Sequence, residues 1–228
     1  MYLINKNVKI MKIYSYVVRY DSGFAPNPFE KFCTLATCKP RIRRNIQVGD
    51  WVIGTGSIEN VGNQKLIYAM QVEEKVFFDK YGEDKRFQSK KVVWNSPNPI
   101  KKLGDNIYWK DGHGKFHQEH SKHSNKDGTE NKELLKHDLS GDFVLISENF
   151  YYFGKSAIKI PEEYHYIIKK GPGHKCNFTN SQINNFIDWL KSLKYESGYQ
   201  DEPFLMKNQV DICSKCIKYD GTPKDDEE

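Results

Sequence analysis

The sequence predicts an α+β domain that is mostly β, with flanking helices and one amphipathic helix near its C-terminal end. Three features support this: several runs rich in β-branched and aromatic residues, one stretch with helical spacing of apolar residues, and enough chain to enclose a core. The 228 residues, 38% of them hydrophobic and 14% aromatic, can bury roughly 70% of the surface that the unfolded chain exposes. We expect one domain over residues 11–195, after an N-terminal extension (1–10) and before a polar, mobile, acidic tail (196–228).

Four segments are predicted to form strands. Residues 12–20 (KIYSYVVRY) are rich in β-branched and aromatic side chains and end at an Asp-Ser-Gly turn. The next segment, 24–29 (FAPNPF), holds two prolines that each remove a backbone donor, so an ordered loop is expected there. Residues 49–56 and 65–78 are predicted to form a hairpin, and residues 142–154 a further strand.

One segment near the end of the chain has the pattern of an amphipathic helix. Thr179 and Gln182 match a capping box, and apolar residues follow at helical spacing: Ile183, Phe186, Ile187 and Leu190. We expect one face of this helix to pack on the body of the domain. Residues 79–141 are mostly polar, and because a structureless loop of this length is improbable in a compact domain, part of it is expected to pack or to be functional.

The composition bounds the environment of the protein and its ligands. Thirty-five Lys and Arg against thirty Asp and Glu give a net charge of +5, which is weaker than the basic signature of a dedicated non-specific DNA-binding protein. The sequence has no run of about 18 apolar residues and no apolar signal-peptide core, so we expect a cytoplasmic protein without membrane contact. Five cysteines, an odd number, favour free thiols. No cofactor is expected.

Six segments together resemble the motif series of the nucleotide modification associated domain 2 family: residues 15–29 (SYVVRYDSGFAPNPF), 33–44 (CTLATCKPRIRR), 48–57, 66–81, 104–109 and 143–154. The resemblance spans residues 11–178, and its first two segments are the specific ones. It implies a bacterial or phage protein linked to the synthesis, recognition or processing of modified bases, within a DNA modification or phage defence system. The implied partners are a nucleotide or nucleic acid with a modified base, and proteins of the same operon.

A weaker similarity connects the chain to the small β-barrel domains of the PUA, ASCH and EVE group. It rests on a Gly-Asp turn into a short strand, followed by the long strand that contains IYAMQVEEKV. Proteins of that architecture hold a flipped or modified base in an aromatic-lined pocket. The similarity implies a PUA-like small barrel in which Trp51 or Trp109 stacks on the base.

Basic residues after a Cys-Lys-Pro turn are the main candidates for phosphate binding. Lys39, Arg41, Arg43 and Arg44 are clustered there, and an extended segment would place Arg41 and Arg43 on one face. The alternative is a solvated edge strand whose charges prevent sheet-to-sheet pairing. Thr55 is a further candidate nucleotide contact, although its Gly-Thr-Gly segment lacks the lysine of a phosphate loop and most simply ends a strand.

Polar residues in the most distinctive segments are candidate readers of a base. Arg19, Asp21 and Asn27 lie at a strand end and in the proline-fixed loop, where an amide or a carboxylate can read the hydrogen-bonding edge of a base. Alternatively, Asp21 closes the Asp-Ser-Gly turn through its own backbone. The same two interpretations apply to Asp105 and Asn106.

Four of the seven histidines lie in the segment HGKFHQEHSKH: His113, His117, His120 and His123. Imidazole can act as a base near neutral pH or bind zinc, but the charged, glycine-containing surroundings favour exposure to solvent. No catalytic residue is assigned, and Asp21 and His123 are the candidates for acid–base catalysis. The chain contains no GxSxG elbow, HExxH helix or dinucleotide fingerprint.

The chain has one CxxC motif, Cys213 with Cys216, and a second possible pair in His174 and Cys176. Four such ligands would suffice for a tetrahedral structural zinc. One CxxC is weak evidence, so free thiols are the preferred interpretation and no metal is expected.

Three functional hypotheses follow. The leading one is a binding module that recognises a modified nucleobase or nucleotide, with Lys39, Arg43 and Arg44 on phosphate and an aromatic ring on the base. The alternative is an enzyme that modifies or processes a base or nucleotide, in which Asp21 or His123 acts as a general acid or base. The third is a structural subunit of a modification or defence operon.

Overall fold

The computed structural model describes residues 10–206. The strands are β1 (Ile13–Val17), β2 (Cys33–Leu35), β3 (Trp51–Thr55), β4 (Lys65–Gln71), β5 (Glu74–Phe77), β6 (Tyr108–Lys110), β7 (Phe116–Gln118), β8 (Phe143–Ser147), β9 (Phe150–Tyr152), β10 (Ile158–Lys159), β11 (His174–Lys175) and β12 (Gly198–Tyr199). The helices are α1 (Pro40–Asn45), α2 (Phe78–Glu83), α3 (Pro99–Lys102), α4 (Lys132–Leu139) and α5 (Asn180–Ser192). Short 3₁₀ helices cover Lys85–Lys90, Gly154–Ser156 and Glu162–Ile167.

The largest sheet is mixed. Its edge strand β12 runs parallel to β9, and β1 runs parallel to β3. Ser15 lies opposite Ile53 in this pair. The strand order of the sheet is β11-β1-β3-β4-β9-β12, and β10 pairs with the start of β4. In the described residues β11 and β12 do not pair with each other, so the sheet is open. The expected PUA-like small barrel is therefore not confirmed, whereas the mixture of strands and helices is.

Two smaller antiparallel sheets complete the fold: β2-β8-β5, and the hairpin of β6 and β7. The predicted hairpin is confirmed for β3 and β4, but its second segment continues as β5 in the three-stranded sheet. The predicted strand over residues 142–154 is likewise divided, into β8 and β9. The carboxylate of Glu73 accepts hydrogen bonds from the backbone N–H groups of Glu148 and Asn149, at 2.6 and 3.2 Å. These bonds hold together the two points at which the chain changes sheets.

Both faces of the large sheet are covered. One face packs against the three-stranded sheet through residues that include Tyr14, Tyr16, Val52, Tyr68, Leu35 and Leu145. The other face packs on α5 through residues that include Ile13, Trp51, Ile53, Ala69, Ile183, Phe186, Ile187 and Leu190. The alternation of side chains along β1 explains why neighbouring residues enter different cores. Each fully buried large apolar side chain contributes about 1.5–3 kcal/mol.

The predicted amphipathic helix is confirmed as α5. Its capping box is complete: Thr179 Oγ1 accepts from the N–H of Gln182 at 3.2 Å, and Gln182 Oε1 accepts from the N–H of Thr179 at 2.9 Å. These bonds satisfy donors that the first turn of a helix leaves without an intrahelical partner. Among residues 10–206, no helix combines the length and the apolar character needed to cross a membrane.

The polar middle of the chain packs on the outer face of the three-stranded sheet. It contains α2, α3, α4 and the hairpin of β6 and β7. Its apolar residues form a third core with Val144 and Ile146 of β8, and they include Phe78, Tyr81, Phe87, Leu103, Ile107 and Tyr108. Many of the sparse apolar residues of this region therefore face the interior, as expected for part of it.

Two further segments differ from the sequence expectations. Residues 40–45 form α1, which begins with Pro40 at a position suited to proline, so the extended segment with Arg41 and Arg43 on one face is wrong. Beyond the predicted domain end at residue 195, β12 pairs with β9. Leu205 then donates its backbone N–H to the carbonyl of Asp21 at 2.9 Å. The rest of the predicted tail, from residue 207, lies outside the described residues.

Candidate functional site

A cleft of about 280 Å³ lies where the parallel strands β1 and β3 end. Residues that follow these two strands form one side of it, and a Gly-Pro-Gly turn before β11 forms another; its lining is Val17, Arg19, Lys39, Ser57, Ile58, Glu59, Gly171, Pro172 and Gly173. Parallel neighbours end at the same edge of a sheet, and the carboxyl edge of parallel strands is a common place for ligand sites.

Two predicted phosphate or base contacts, Arg19 and Lys39, meet at this cleft. Lys39 is only 6% exposed, and its ammonium lies 5.0 Å from the centroid of the Tyr16 ring. Arg19 forms a two-point ion pair with the carboxylate of Glu59, at 2.9 and 2.8 Å. Because Arg19 and Glu59 are both partly exposed, this pair contributes little to stability. The cleft thus carries two cationic groups: Arg19, which is paired with the carboxylate of Glu59, and Lys39, which is nearly buried.

Lys39 is held in place by a sharp turn between β2 and α1. Cys38 and Lys39 both have left-handed backbones, with φ of 59° and 45°. This region is unfavourable for residues other than glycine, so two such residues in succession mark local strain of about 1–3 kcal/mol each. A strained strand-to-helix turn is also the geometry that presents a nucleophile in many hydrolases.

The turn that carries Lys39 also brings together a thiol, an imidazole and a carboxylate, from Cys38, His123 and Asp138. Cys38 Sγ lies 3.6 Å from His123 Nε2, and His123 Nδ1 lies 2.7 Å from Asp138 Oδ2. His123 is 6% exposed and Asp138 is fully buried, whereas Cys38 is partly exposed. The ring of Phe24 packs edge-on against His123 with 4.9 Å between centroids, so the imidazole is fixed from a second side.

The environment of Asp138 keeps this carboxyl ionised. Burial alone would raise its pKa, but His123, Arg43 and Tyr108 together hold the pKa below its usual range. Tyr108 donates its hydroxyl to Oδ2 at 2.6 Å, and the backbone N–H of Cys38 donates to Oδ1 at 2.8 Å. Since an ionised carboxylate only accepts, His123 Nδ1 carries a proton, and Nε2 is the ring nitrogen that faces the thiol.

Arg43 supports this arrangement from inside the protein. Its side chain is buried, and it donates to the carbonyl oxygens of Cys38 at 2.7 Å, Phe143 at 2.7 Å and Asp138 at 2.5 Å. Arg43 therefore ties the Cys38 turn to α4 and β8 and does not line the cleft. Arg44 points to solvent on the other side of α1, where it bonds Asp142 and the carbonyl of Ser140. A phosphate contact by either arginine stays a prediction without support from its position.

Asp21 lies in a buried polar cluster. Burial raises its pKa to about 6, although hydrogen bonds from the Tyr152 hydroxyl and the backbone N–H of Phe204, and the charge of Lys122, act in the opposite direction. The carboxylate therefore links the strand end to β9 and to the segment after β12. This use differs from both interpretations of Asp21, as a reader of a base and as the residue that closes the Asp-Ser-Gly turn, and at 1% exposure the side chain is shielded from bulk solvent.

The other predicted base readers belong to a second buried network, which is organised by Lys90. The Lys90 ammonium donates to Asn27 Oδ1 at 2.7 Å and also contacts the carbonyl oxygens of Asn27, Phe29 and Phe32. Burial lowers the pKa of Lys90 to about 8, while Asp105 acts in the opposite direction.

Asp105 and Asn106 complete this second network. Asp105 accepts from Thr34 Oγ1 at 2.6 Å and from the Tyr81 hydroxyl at 2.7 Å. The Asn106 amide donates to the carbonyl oxygens of Tyr81 and Phe87, at 3.3 and 3.2 Å. Because these polar atoms bond within the protein, the geometry favours a structural use of Asn27, Asp105 and Asn106.

The remaining candidates do not line the cleft. Trp51 is buried beneath α5, and Thr55 is buried with its hydroxyl bonded to the carbonyl of Tyr16 at 3.3 Å. Trp109 is 44% exposed and stacks on His117, which also bonds Asp111 and Glu130. Stacking of Trp109 on a base stays a prediction, and Trp109 does not line the cleft.

The candidate zinc ligands are only partly covered by the structure. His174 packs its ring against Tyr14 at 5.6 Å, and Cys176 is exposed. Cys213 and Cys216 lie outside the described residues. Within residues 10–206, no three His, Cys, Asp or Glu side chains are grouped so that they could hold a metal ion.

Sequence reasoning selected His123 but missed its two partners, Cys38 and Asp138. Cys38 belongs to a segment whose basic residues suggest phosphate binding. The Cys-Lys-Pro turn is the one feature of the sequence that points to a special backbone at Cys38. Asp138 lies 100 residues further along the chain, in α4. No sequence motif and no hydrophobic periodicity relates two positions that are so far apart in the chain.

The fold and its cleft define a mixed α/β domain with a candidate ligand site at the carboxyl edge of parallel strands. Residues 10–210 match the nucleotide modification associated domain 2 family, and the chain belongs to that family. The resemblance seen in the sequence is thus confirmed. No curated protein and no solved structure matches the chain.

Proposed function

We propose that this protein binds a nucleotide, or a modified nucleobase within a nucleic acid, in the cleft beside Lys39. The main support is the position of Lys39: a nearly buried ammonium at the wall of a cleft, with an aromatic ring beneath it. A buried cation near a cleft is suited to an anionic group such as phosphate, because low exposure reduces solvent screening. Membership of a family associated with nucleotide modification favours nucleotides among anionic ligands.

The size of the cleft favours one nucleotide unit. Its volume of about 280 Å³ is at the lower end of the range of roughly 300–1,000 Å³ that is usual for ligand pockets. A base in a strand would enter such a cleft after leaving its stack, as it does in other base-processing proteins. A place in a phage defence or DNA modification system stays a prediction.

The direct experiment is a calorimetric titration of the purified protein with the four deoxynucleoside monophosphates, and with plain and base-modified oligonucleotides at two salt concentrations. A base reader should prefer a modified ligand and show a modest salt slope, because phosphate contacts alone give steep salt dependence. Lys39→Met keeps the contact with the Tyr16 ring but removes the charge, and it should weaken binding about tenfold or more. Lys80→Met, an exposed ammonium on α2, is the matched control and should leave binding unchanged.

Two results would contradict this proposal. One is that none of the nucleotides or oligonucleotides binds. The other is that Lys39→Met and Lys80→Met bind equally well.

The second candidate function is an enzyme acting on the same class of ligand, and the hydrogen bonds that connect Cys38, His123 and Asp138 favour it.

A further inference from the structure

We propose that Cys38, His123 and Asp138 form a nucleophilic triad that hydrolyses an amide or ester group carried by the bound nucleotide or modified base. Cys38 is the nucleophile, His123 the general base and acid, and Asp138 the group that orients the imidazole. The substrate class rests on the proposed nucleotide binding, whereas the triad itself rests on geometry.

The first line of support is that His123 bridges the thiol of Cys38 and the carboxylate of Asp138. The two ring nitrogens of His123 lie 3.6 Å from Cys38 Sγ and 2.7 Å from Asp138 Oδ2. A nucleophile bonded to a base that a third group orients is the arrangement expected for covalent catalysis. A merely structural histidine needs a satisfied ring, but it does not need a partly exposed thiol at its Nε2.

The second line of support is the presentation of the thiol. Cys38 has a φ of 59° and stands between β2 and α1. Strain of this kind persists only where the surrounding structure enforces it. Here the enforcement is visible: the backbone N–H of Cys38 bonds Asp138 Oδ1, and its carbonyl bonds Arg43 Nε. Asp138 thus holds both the nucleophile's backbone and the imidazole.

Each step of the proposed hydrolysis balances. His123 Nε2 takes the thiol proton, and Cys38 Sγ forms a bond to the carbonyl carbon, which becomes tetrahedral. The bond from that carbon to the amine or alcohol breaks, and the leaving group takes the proton from Nε2. Water then attacks the thioester while Nε2 accepts its proton, the carbon–sulfur bond breaks, Nε2 returns the proton to Sγ of Cys38, and a carboxylic acid is released.

The position of the cleft connects the triad to the ligand. Lys39, which lines the cleft, is the next residue after Cys38. A phosphate held by Lys39 would place the rest of a nucleotide within reach of the turn. Among residues 10–206, the charged and titratable groups near Cys38 include His123 and Asp138, with Tyr108 and Arg43 bonded to Asp138 and with Lys39 next in the chain.

Alkylation by iodoacetamide, followed by mass spectrometry of each cysteine peptide between pH 5.5 and 9.5, tests the triad in the full chain. Cys176 is more exposed than Cys38 and is the internal control. An ordinary thiol with a pKa of about 8.5 is roughly 1% thiolate at pH 6.5. A thiolate paired with imidazolium should therefore react about tenfold faster at that pH, even though a low-pKa thiolate is intrinsically less nucleophilic.

Two histidine variants separate activation from structure. His123→Gln should return the pH profile of Cys38 to that of an ordinary thiol, whereas His113→Gln, at an exposed position, should leave it unchanged. A Cys38 profile equal to that of Cys176 in the wild-type protein would overturn the triad, and this comparison holds even if His123→Gln does not fold. The acyl step is tested with p-nitrophenyl acetate: a burst of p-nitrophenolate stoichiometric with protein is expected, and it should be lost in Cys38→Ser.

A protection experiment separates the failure of the triad from the failure of nucleotide binding. Saturating deoxynucleoside monophosphate should slow the alkylation of Cys38 and leave that of Cys176 unchanged. If Cys38 is activated but no nucleotide protects it, the assigned substrate class is wrong. If nucleotides bind and Cys38 reacts as an ordinary thiol, the proposed binding function stands and the triad is wrong.

Discussion

The side-chain oxygen of Asn27 lies 2.7 Å from the ammonium of Lys90, 63 residues further along the chain. Around this pair the ammonium also meets the carbonyl oxygens of Phe29 and Phe32 at 2.5 and 2.6 Å. The proline-containing loop is thus closed around one buried cation. Asn27, an apparent base reader in the sequence, is here part of the structural framework.

Lys90→Met should destabilise the protein by about 3 kcal/mol or more. Methionine fills a similar volume, but it leaves several buried oxygens without their donor, and each such loss costs about 1–3 kcal/mol. Urea unfolding monitored by tryptophan fluorescence measures the change. Lys91→Met, at the exposed neighbouring position, is the control and should change the free energy of unfolding by less than about 0.5 kcal/mol. Equal losses in both variants would contradict a structural role for the Lys90 ammonium.

The stability contributed by Asp21 should fall as the pH rises from about 4 to about 7. Its pKa is raised to about 6 in the folded state, mainly by burial, so between the unfolded and folded pKa values the native state binds more protons than the unfolded state. The contribution is therefore complete below the unfolded pKa and is lost as the pH rises through the folded pKa.

The measurement is the free energy of unfolding of the wild type and Asp21→Asn at a series of pH values. The difference between the two proteins should decrease by about 2 kcal/mol from pH 4 to pH 7. Asp188→Asn, an exposed position on α5, is the control for the loss of one carboxylate from the surface. A constant difference for Asp21→Asn would show that Asp21 does not titrate in this window.

Gly141→Ala should disturb the support of the Cys38 turn. A Cβ atom at residue 141 would lie 2.6 Å from Cζ of Arg43, whose three hydrogen bonds leave it little freedom to move. Overpacking of this kind costs about 1–3 kcal/mol. The variant should therefore lower the midpoint of urea unfolding and slow the alkylation of Cys38. Gly112→Ala, where an added Cβ meets no atom within 4 Å, is the control and should do neither.

The local elements were largely predictable. Alternation along β1, the antiparallel pair of β3 and β4, and the capping box of α5 all follow from patterns within a few residues. The basic segment after Cys38 was interpreted wrongly because its charges obscured a short helix that begins at Pro40. Arg43, one of the predicted phosphate contacts, is buried, and its guanidinium donates to three carbonyl oxygens.

The sequence by itself therefore determined the mixed strand and helix content, the amphipathic C-terminal helix and, through its motif series, the family. Only the tertiary structure decided that Cys38, His123 and Asp138 stand in line, and that Lys39, not Arg43, faces the cleft. The physical reason is separation along the chain. Patterns of two or three to four residues report which face of an element is buried, whereas a site assembled from residues up to 100 positions apart depends on how the sheets and helices pack.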